Sequence, residues 1–192
     1  ITLRKITAKK EDYYEFELEN NLLRIKDRRD LKYFMMEKEF VENFINSITQ
    51  DSVVCDVGSY HGFYSILGSI GEESYAFEMS TENYEVIKKN FELNNLHTSN
   101  VINKAVWSGE QKLEAEMEDS STNTVGEGER IDSISLDEFF QEKNHPDIVK
   151  IDVEGAEYQV LNGMTELIKK SKPKIFLEIH SEEMIVEQGG TR

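Results

Sequence analysis

A single cysteine, Cys55, is all the thiol chemistry these 192 residues hold. One cysteine cannot close an internal disulfide, which fits a reducing compartment such as the cytoplasm. It lies in the apolar run Val53-Val54-Cys55, where the expected role is a buried small residue and not a nucleophile. Only two prolines punctuate the chain, and no internal repeat is visible. Basic side chains are scarce, 22 against 38 acidic ones, for a formal net charge of -16. Such a surface repels phosphate backbones and anionic lipid, so neither nucleic acid nor a membrane is expected as the main partner. The basic cluster Arg24, Lys26, Arg28 and Arg29 falls on an expected strand and turn, where a solvated face is the simpler reading. No apolar stretch approaches the roughly 18 residues of a spanning helix, and nothing resembles a signal peptide. What is left, 38% hydrophobic and 10% aromatic, is enough for one domain with a sizeable core. The opening Ile1 and the closing Gly189-Gly190-Thr191-Arg192 suggest a piece of a longer chain.

Residues 13–18 and 22–26 alternate apolar and polar positions around Glu19-Asn20-Asn21, the pattern of a β-hairpin. Asp30 is placed to cap a helix whose apolar positions Leu31, Phe34, Met35, Val41, Phe44, Ile45 and Ile48 fall near helical spacing. From there strands alternate with helices. Residues 53–57, 74–77, 100–106, 148–151 and 174–179 read as five strands. Helices are expected over 63–69, after a cap at Ser80 or Thr81, over 136–142, and over 156–170. The polar, glycine-punctuated stretch 108–134 reads as a loosely packed hairpin at the sheet's edge or over the site. This alternation implies a parallel sheet covered on both faces, with ligands beyond the carboxyl ends of the strands. Residues 1–48 are expected to form a lid or homodimer surface on a ligand-binding unit of residues 49–192, together one compact domain.

Those strand ends carry the chemistry. Asp56-Val57-Gly58-Ser59-Tyr60-His61-Gly62 follows the first. Gly58 permits a sharp turn close to a ligand, and Gly62 does the same where a helix begins with free N–H groups. An acidic strand tip suits a ligand bearing an ammonium and a sulfonium better than a pyrophosphate. Glu78 ends the next strand, 20 residues after Gly58, where a carboxylate can accept both hydroxyls of a ribose. A nicotinamide dinucleotide fits less well, because Tyr60 stands where the G-x-G-x-x-G fingerprint needs its second glycine.

The run from Val54 to Ser65, Val-Cys-Asp-Val-Gly-Ser-Tyr-His-Gly-Phe-Tyr-Ser, resembles the first motif of class I methyltransferases. Asp147-Ile148-Val149-Lys150-Ile151-Asp152-Val153-Glu154-Gly155-Ala156-Glu157, with Val160-Leu161-Asn162-Gly163 after it, resembles the signature of the FkbM-like methyltransferases. Tyr75-Ala76-Phe77-Glu78, Asn103-Lys104-Ala105-Val106, Ile134-Ser135-Leu136-Asp137 and Phe176-Leu177-Glu178-Ile179-His180 match in the same order. The resemblance implies a three-layer α/β/α sandwich of the Rossmann-like methyltransferase type, with a mostly parallel sheet. It implies S-adenosylmethionine as donor and a hydroxyl of a sugar, polyketide or similar metabolite as acceptor. Carried over by position, Asp56, Gly58 and Gly62 hold the methionine part of the donor, with Ser59, Tyr60 and Phe63 in the same loop. Glu78 takes the ribose, and Met79 and Ala105 border the adenine. His61 departs from the pattern and its role stays open. The closing two-strand hairpin of the fold is expected to be missing.

Methyl transfer from a sulfonium mainly requires alignment and exclusion of water, while a hydroxyl acceptor also needs a base. Asp152 and Glu154 follow the fourth strand, Glu178 and His180 the fifth, and residues two apart on a strand share a face. His180 or Asp152 is the expected base, with Glu154 and Glu178 orienting the acceptor. Carboxylates with an imidazole could also hold a divalent metal, but no ligand spacing claims one. Glu157 reads as a solvated charge, and His97 and His145 as inert turn residues. Lys150, in an otherwise apolar strand, must pair with some carboxylate. An N-P-P-Y motif of amide methylation and the G-x-S-x-G elbow of serine hydrolases are both absent. A donor-binding module without catalysis is the second reading; it needs Asp56, Gly58 and Glu78 but not the acid–imidazole group.

Overall fold

The computed structural model describes residues 3–6, 12–18, 21–32, 36–117, 123–125 and 129–190. Strand β1 (Leu3–Ile6), unannounced by the sequence pattern, pairs antiparallel with β2 (Tyr14–Leu18), and β2 pairs antiparallel with β3 (Asn21–Ile25). The expected hairpin is therefore present, with Leu18 opposite Asn21. Alternation turns Phe16, Leu18, Leu23 and Ile25 inward. The expected helix from Asp30 is shorter: a 3-10 turn at Arg28–Lys32 precedes α1 (Lys38–Ile45). Asp30 lies inside that turn, and its carboxylate turns inward to His61. Val41, Phe44 and Ile45 face the core as their spacing requires; Phe34 and Met35 lie outside the described residues.

The alternating part runs β4 (Val53–Val57), α2 (Phe63–Gly68), β5 (Glu73–Phe77), α3 (Thr81–Leu93) and β6 (Val101–Ile102). Next come β7 (Ala105–Val106), β8 (Lys112–Met117), β9 (Asn123–Val125), β10 (Glu129–Ile134), α4 (Leu136–Phe139) and β11 (Ile148–Ile151). Helices α5 (Glu157–Asn162) and α6 (Thr165–Lys170), strand β12 (Lys174–Leu177) and helix α7 (Glu182–Glu187) complete the order. The main sheet is parallel in the order β12-β11-β4-β5-β6.

Register assigns its two faces. Val54, Ser74, Ala76, Ile148 and Phe176 point to one side, under α1, α2, α3 and the N-terminal strands. Val53, Cys55, Val57, Tyr75, Phe77, Val149 and Ile151 point to the other, under α4, α5 and α6. The fold is the expected three-layer α/β sandwich. Phe16, Leu18, Val41 and Phe44 share one core cluster with Val54, Ile148 and Phe176. Among the described residues no helix is long and apolar enough to cross a membrane.

Three expected elements divide. The third strand leaves the main sheet after Ile102: Ala105 and Val106 pair with β10 instead, in a second sheet of order β7-β10-β8-β9. The stretch expected as a hairpin is thus three strands, β8 to β10, with residues 118–122 and 126–128 outside the described ones. The helix expected over 156–170 breaks at Gly163, where a Cβ would lie 2.1 Å from the Trp107 carbonyl oxygen. The Asp137 carboxylate then caps α6, accepting from the amides of Glu166 at 3.0 Å and Leu167 at 2.7 Å.

Candidate functional site

Parallel strands bring their carboxyl ends to one edge of the sheet, and chain direction across it switches between β4 and β11. Asp56, near the end of β4, is fully buried. Its Oδ2 accepts from the Ser65 hydroxyl at 2.6 Å, and Oδ1 lies 3.7 Å from the Lys150 ammonium. Its carboxylate is therefore spent within the protein, and what Asp56 presents at the edge is the loop rooted on it. Gly58, at φ 72°, is constrained from within too: a Cβ would stand 1.7 Å from the Asp152 carbonyl oxygen. The tight approach is to the end of β11, a crowding the sequence reading assigned to a ligand.

Ser59 donates to the Asp56 carbonyl at 2.8 Å, and Tyr60, at φ 52°, stacks on His61 with ring centroids 3.8 Å apart. A non-glycine residue held at positive φ is strain that surrounding structure must support. His61 acquires a definite role. Its Nδ1 donates to Asp30 at 3.0 Å and its carbonyl accepts from Asn90 at 2.8 Å, tying the loop to the N-terminal turn and to α3. Phe63, placed by position in the donor loop, instead buries its ring in the core beside Phe16 and Tyr64.

Glu78, only 5% exposed, accepts from the amides of Tyr60 and Ser80, each at 2.8 Å. Burial pushes its carboxyl up to about 7, against the pull of those two amides. Asn103 donates to the carbonyls of Glu78 at 2.9 Å and Met79 at 3.1 Å, fixing the end of β5 where the chain leaves the sheet. Met79 packs with Ala105, Trp107 and Val153 in a small apolar cluster beneath the second sheet. A carboxylate, a tight glycine loop and this apolar wall thus adjoin at the ends of β4, β5 and β7.

The second group gathers at β11 and β12. His180 Nδ1 donates to Glu157 at 2.6 Å, and its Nε2 lies 3.4 Å from Glu154 and 3.8 Å from Asp152. Burial works against its charge, but the Glu157 hydrogen bond and the carboxylates of Glu154 and Asp152 prevail and hold its pKa above the usual value. Glu157 corrects the sequence reading: it is 3% exposed, not solvated, and also accepts from the Gly155 amide at 3.2 Å. Glu154 sits at φ 49°, a second strained position at this edge. Glu178 is exposed; burial and the nearby Asp152 raise its carboxyl pKa. It borders a cleft of about 330 Å³ that Met36, Glu37, Phe40 and Leu177 also line. Asp152, Glu178 and His180 offer ligand atoms within 4.8 Å of one another, a spacing open to a cation. Lys150 finds its carboxylates in Asp152, at 3.2 Å, and Asp56.

The hexuronic acid methyltransferase AglP of Haloferax volcanii is 29% identical to this chain over 154 residues, covering 76% of the chain and 63% of that protein. This chain therefore spans less than two thirds of that curated relative's length. Among solved structures, methyltransferase FkbM from Methylobacillus flagellatus KT is 17% identical over 80% of this chain and 44% of its own, with a TM-score of 0.49. The precorrin-6y C5,15-methyltransferase of Geobacter metallireducens GS-15 is 16% identical over 81% of this chain and 70% of its own, with a TM-score of 0.48. Residues 56–188, from the root of the glycine loop to the end of α7, match the methyltransferase FkbM domain, and the chain belongs to that family.

Proposed function

We propose that this protein binds S-adenosylmethionine at the ends of β4, β5 and β7 and transfers its methyl group to a hydroxyl of a sugar or similar small metabolite. The residues present fit the donor. Glu78 supplies a carboxylate for a ribose diol, the glycine-bounded turn from Gly58 to Gly62 a tight backbone loop for the methionine part, and Met79 and Ala105 an apolar wall for adenine. When bound, S-adenosylmethionine supplies a methyl carbon already activated by its sulfonium. The protein's own task is to align an oxygen with that carbon, exclude water and remove a proton.

His180 carries the reading. Glu157, an acceptor, keeps the proton of a neutral imidazole on Nδ1, so the Nε2 lone pair faces the edge where the donor residues end. A hydroxyl placed between Nε2 and the Glu154 carboxylate would give its proton to Nε2, and Glu157 would stabilise the imidazolium that results. Glu178 and Glu154 orient the acceptor, whose room is the cleft beside Glu178. Sugar acceptors come first because the relative AglP is named for a hexuronic acid. The buried free thiol of Cys55 fits a cytoplasmic setting. A binding module without turnover is disfavoured, since it gives the Glu157–His180 pair nothing to do.

Titration calorimetry tests the donor and a single variant tests the base. The chain should bind S-adenosylmethionine and its demethylated product and not NAD. His180→Ala should retain donor affinity while losing roughly 10²–10⁴-fold in turnover on a hydroxylated acceptor. Binding of NAD alone refutes the cofactor, and a fully active His180→Ala refutes the base.

A further inference from the structure

Lys150 lies at the middle of the main sheet, 4% exposed, in register opposite Asp56 across the switch between β4 and β11. Its Nζ is 3.2 Å from Asp152 Oδ2, 3.4 Å from the Gly58 carbonyl oxygen and 3.7 Å from Asp56 Oδ1, with the Tyr64 ring centroid 5.0 Å away. One ammonium thus touches the root of the donor loop, the loop itself and the first residue after β11. Burying it is expensive, and packing alone would be served as well by an apolar side chain of similar volume. The charge is retained for something other than filling space.

The geometry at His180 indicates what that is. Asp152 has two neighbours that want its carboxylate, and Lys150 takes Oδ2 at 3.2 Å while His180 Nε2 stands 3.8 Å from Oδ1, beyond hydrogen-bond range. We propose that Lys150 is a positioning residue: it holds Asp152 off His180 Nε2, so that Glu154, at 3.4 Å, is the nearest carboxylate to that nitrogen and an acceptor hydroxyl can enter from the Asp152 side, and it pins the Gly58 turn to the same point. This rests on the methyl-transfer reading, which makes Nε2 the base. Four carboxylates surround the imidazole, from Asp152 and Glu154 after β11, Glu157 on α5 and Glu178 after β12. Lys150 is the cation that faces Asp152 from within the sheet. Released from it, Asp152 would close on Nε2, hold the imidazole protonated and remove the base. A merely structural Lys150 would instead serve to neutralise Asp56.

Lys150→Met and the double variant Asp56→Asn/Lys150→Met separate these roles. The His180 imidazole is titrated by NMR, its resonance assigned with His180→Gln, and S-adenosylmethionine affinity is read by calorimetry. Lys150→Met should move the His180 midpoint to higher pH and weaken donor binding at least about tenfold. The double variant, with no uncompensated Asp56 charge, should regain much of the lost urea stability yet keep the raised His180 midpoint. A double variant whose His180 titrates as in the wild type would overturn the proposal, leaving Lys150 as the counter-ion of Asp56. So would a folded Lys150→Met with wild-type midpoint and affinity. Failure of the wild type itself to bind S-adenosylmethionine sinks the methyl-transfer reading instead, and the His180 titration still judges the contact with Asp152.

Discussion

Replacing Glu78 by glutamine should tilt the stability of this protein against pH by an amount the structure sets. Burial holds the carboxyl at about 7, against an ordinary 4.5. The gap of about 2.5 units corresponds to ~3 kcal/mol at 1.36 kcal/mol per unit. Because the folded value is raised, that contribution is complete below the unfolded pKa and disappears as pH climbs through about 7. Glutamine titrates nowhere in this range. It has one acceptor oxygen for two amide donors, Tyr60 and Ser80, so it forfeits about 1 kcal/mol at every pH. The variant should therefore be less stable than the wild type by ~1 kcal/mol near pH 3.5, about equal to it near pH 5, and more stable by ~2 kcal/mol near pH 8. Urea unfolding followed by the fluorescence of Trp107, the chain's single tryptophan, measures both. Donor binding should move the other way, weakening by about 1.5–3 kcal/mol with the loss of a charged acceptor for the ribose. Parallel stability curves for the two proteins across pH would refute the burial argument.

The parallel sheet was legible because its strands are short, apolar and β-branched, bounded by turn residues, and because each is followed by a helical period. Val53–Val57 and Ile148–Ile151 have the bounds their composition implies. The errors have a common origin in tertiary contacts that override local pattern. Residues 100–106 are continuous in β propensity, but Asn103 is claimed by two carbonyls at the end of β5, and the chain turns into a different sheet. Helical periodicity persists through Gly163, yet the approach of the Trp107 carbonyl breaks the helix. Strand β1 pairs at an edge without any flanking turn signature of its own.

At the candidate site, the structure revises the states the sequence suggested for several residues. Glu157 looked like a helix-surface charge because helical position says nothing of what lies above it; it is buried, and His180, which follows β12, meets it at 2.6 Å. Asp56 looked available to a ligand because it ends a strand, but register points it at Lys150 and Ser65 inside the layer. The state of Asp56 was recoverable from one signal, the odd lysine in Ile148-Val149-Lys150-Ile151. A buried ammonium demands partners, and alternation puts it on the face shared by Asp56 in a parallel neighbour. The roles of Gly58 and His61 were not recoverable, since they depend on chain segments far away in sequence.

Gly58→Ala should cost ~3 kcal/mol or more, combining a left-handed φ with a Cβ driven into the Asp152 carbonyl; a urea midpoint close to wild type would show that the end of β11 yields easily. Glu157→Gln separates charge from geometry at His180. The amide oxygen can still accept from Nδ1, so the tautomer survives while a buried negative charge disappears. Glu157 contributes to the raised His180 pKa both by hydrogen bond and by charge, so the midpoint should fall, and with it the share of stability that depends on a protonated His180. That share is complete at low pH and lost as pH rises through the folded value, so the variant should lose stability at pH 5 and little at pH 9. Turnover should drop about tenfold or more even where His180 is neutral, because the imidazolium formed on proton transfer no longer meets a carboxylate. Should turnover instead match the wild type at high pH, Glu157 does no more than orient the ring, and the stabilisation of the imidazolium must come from Glu154 and Asp152.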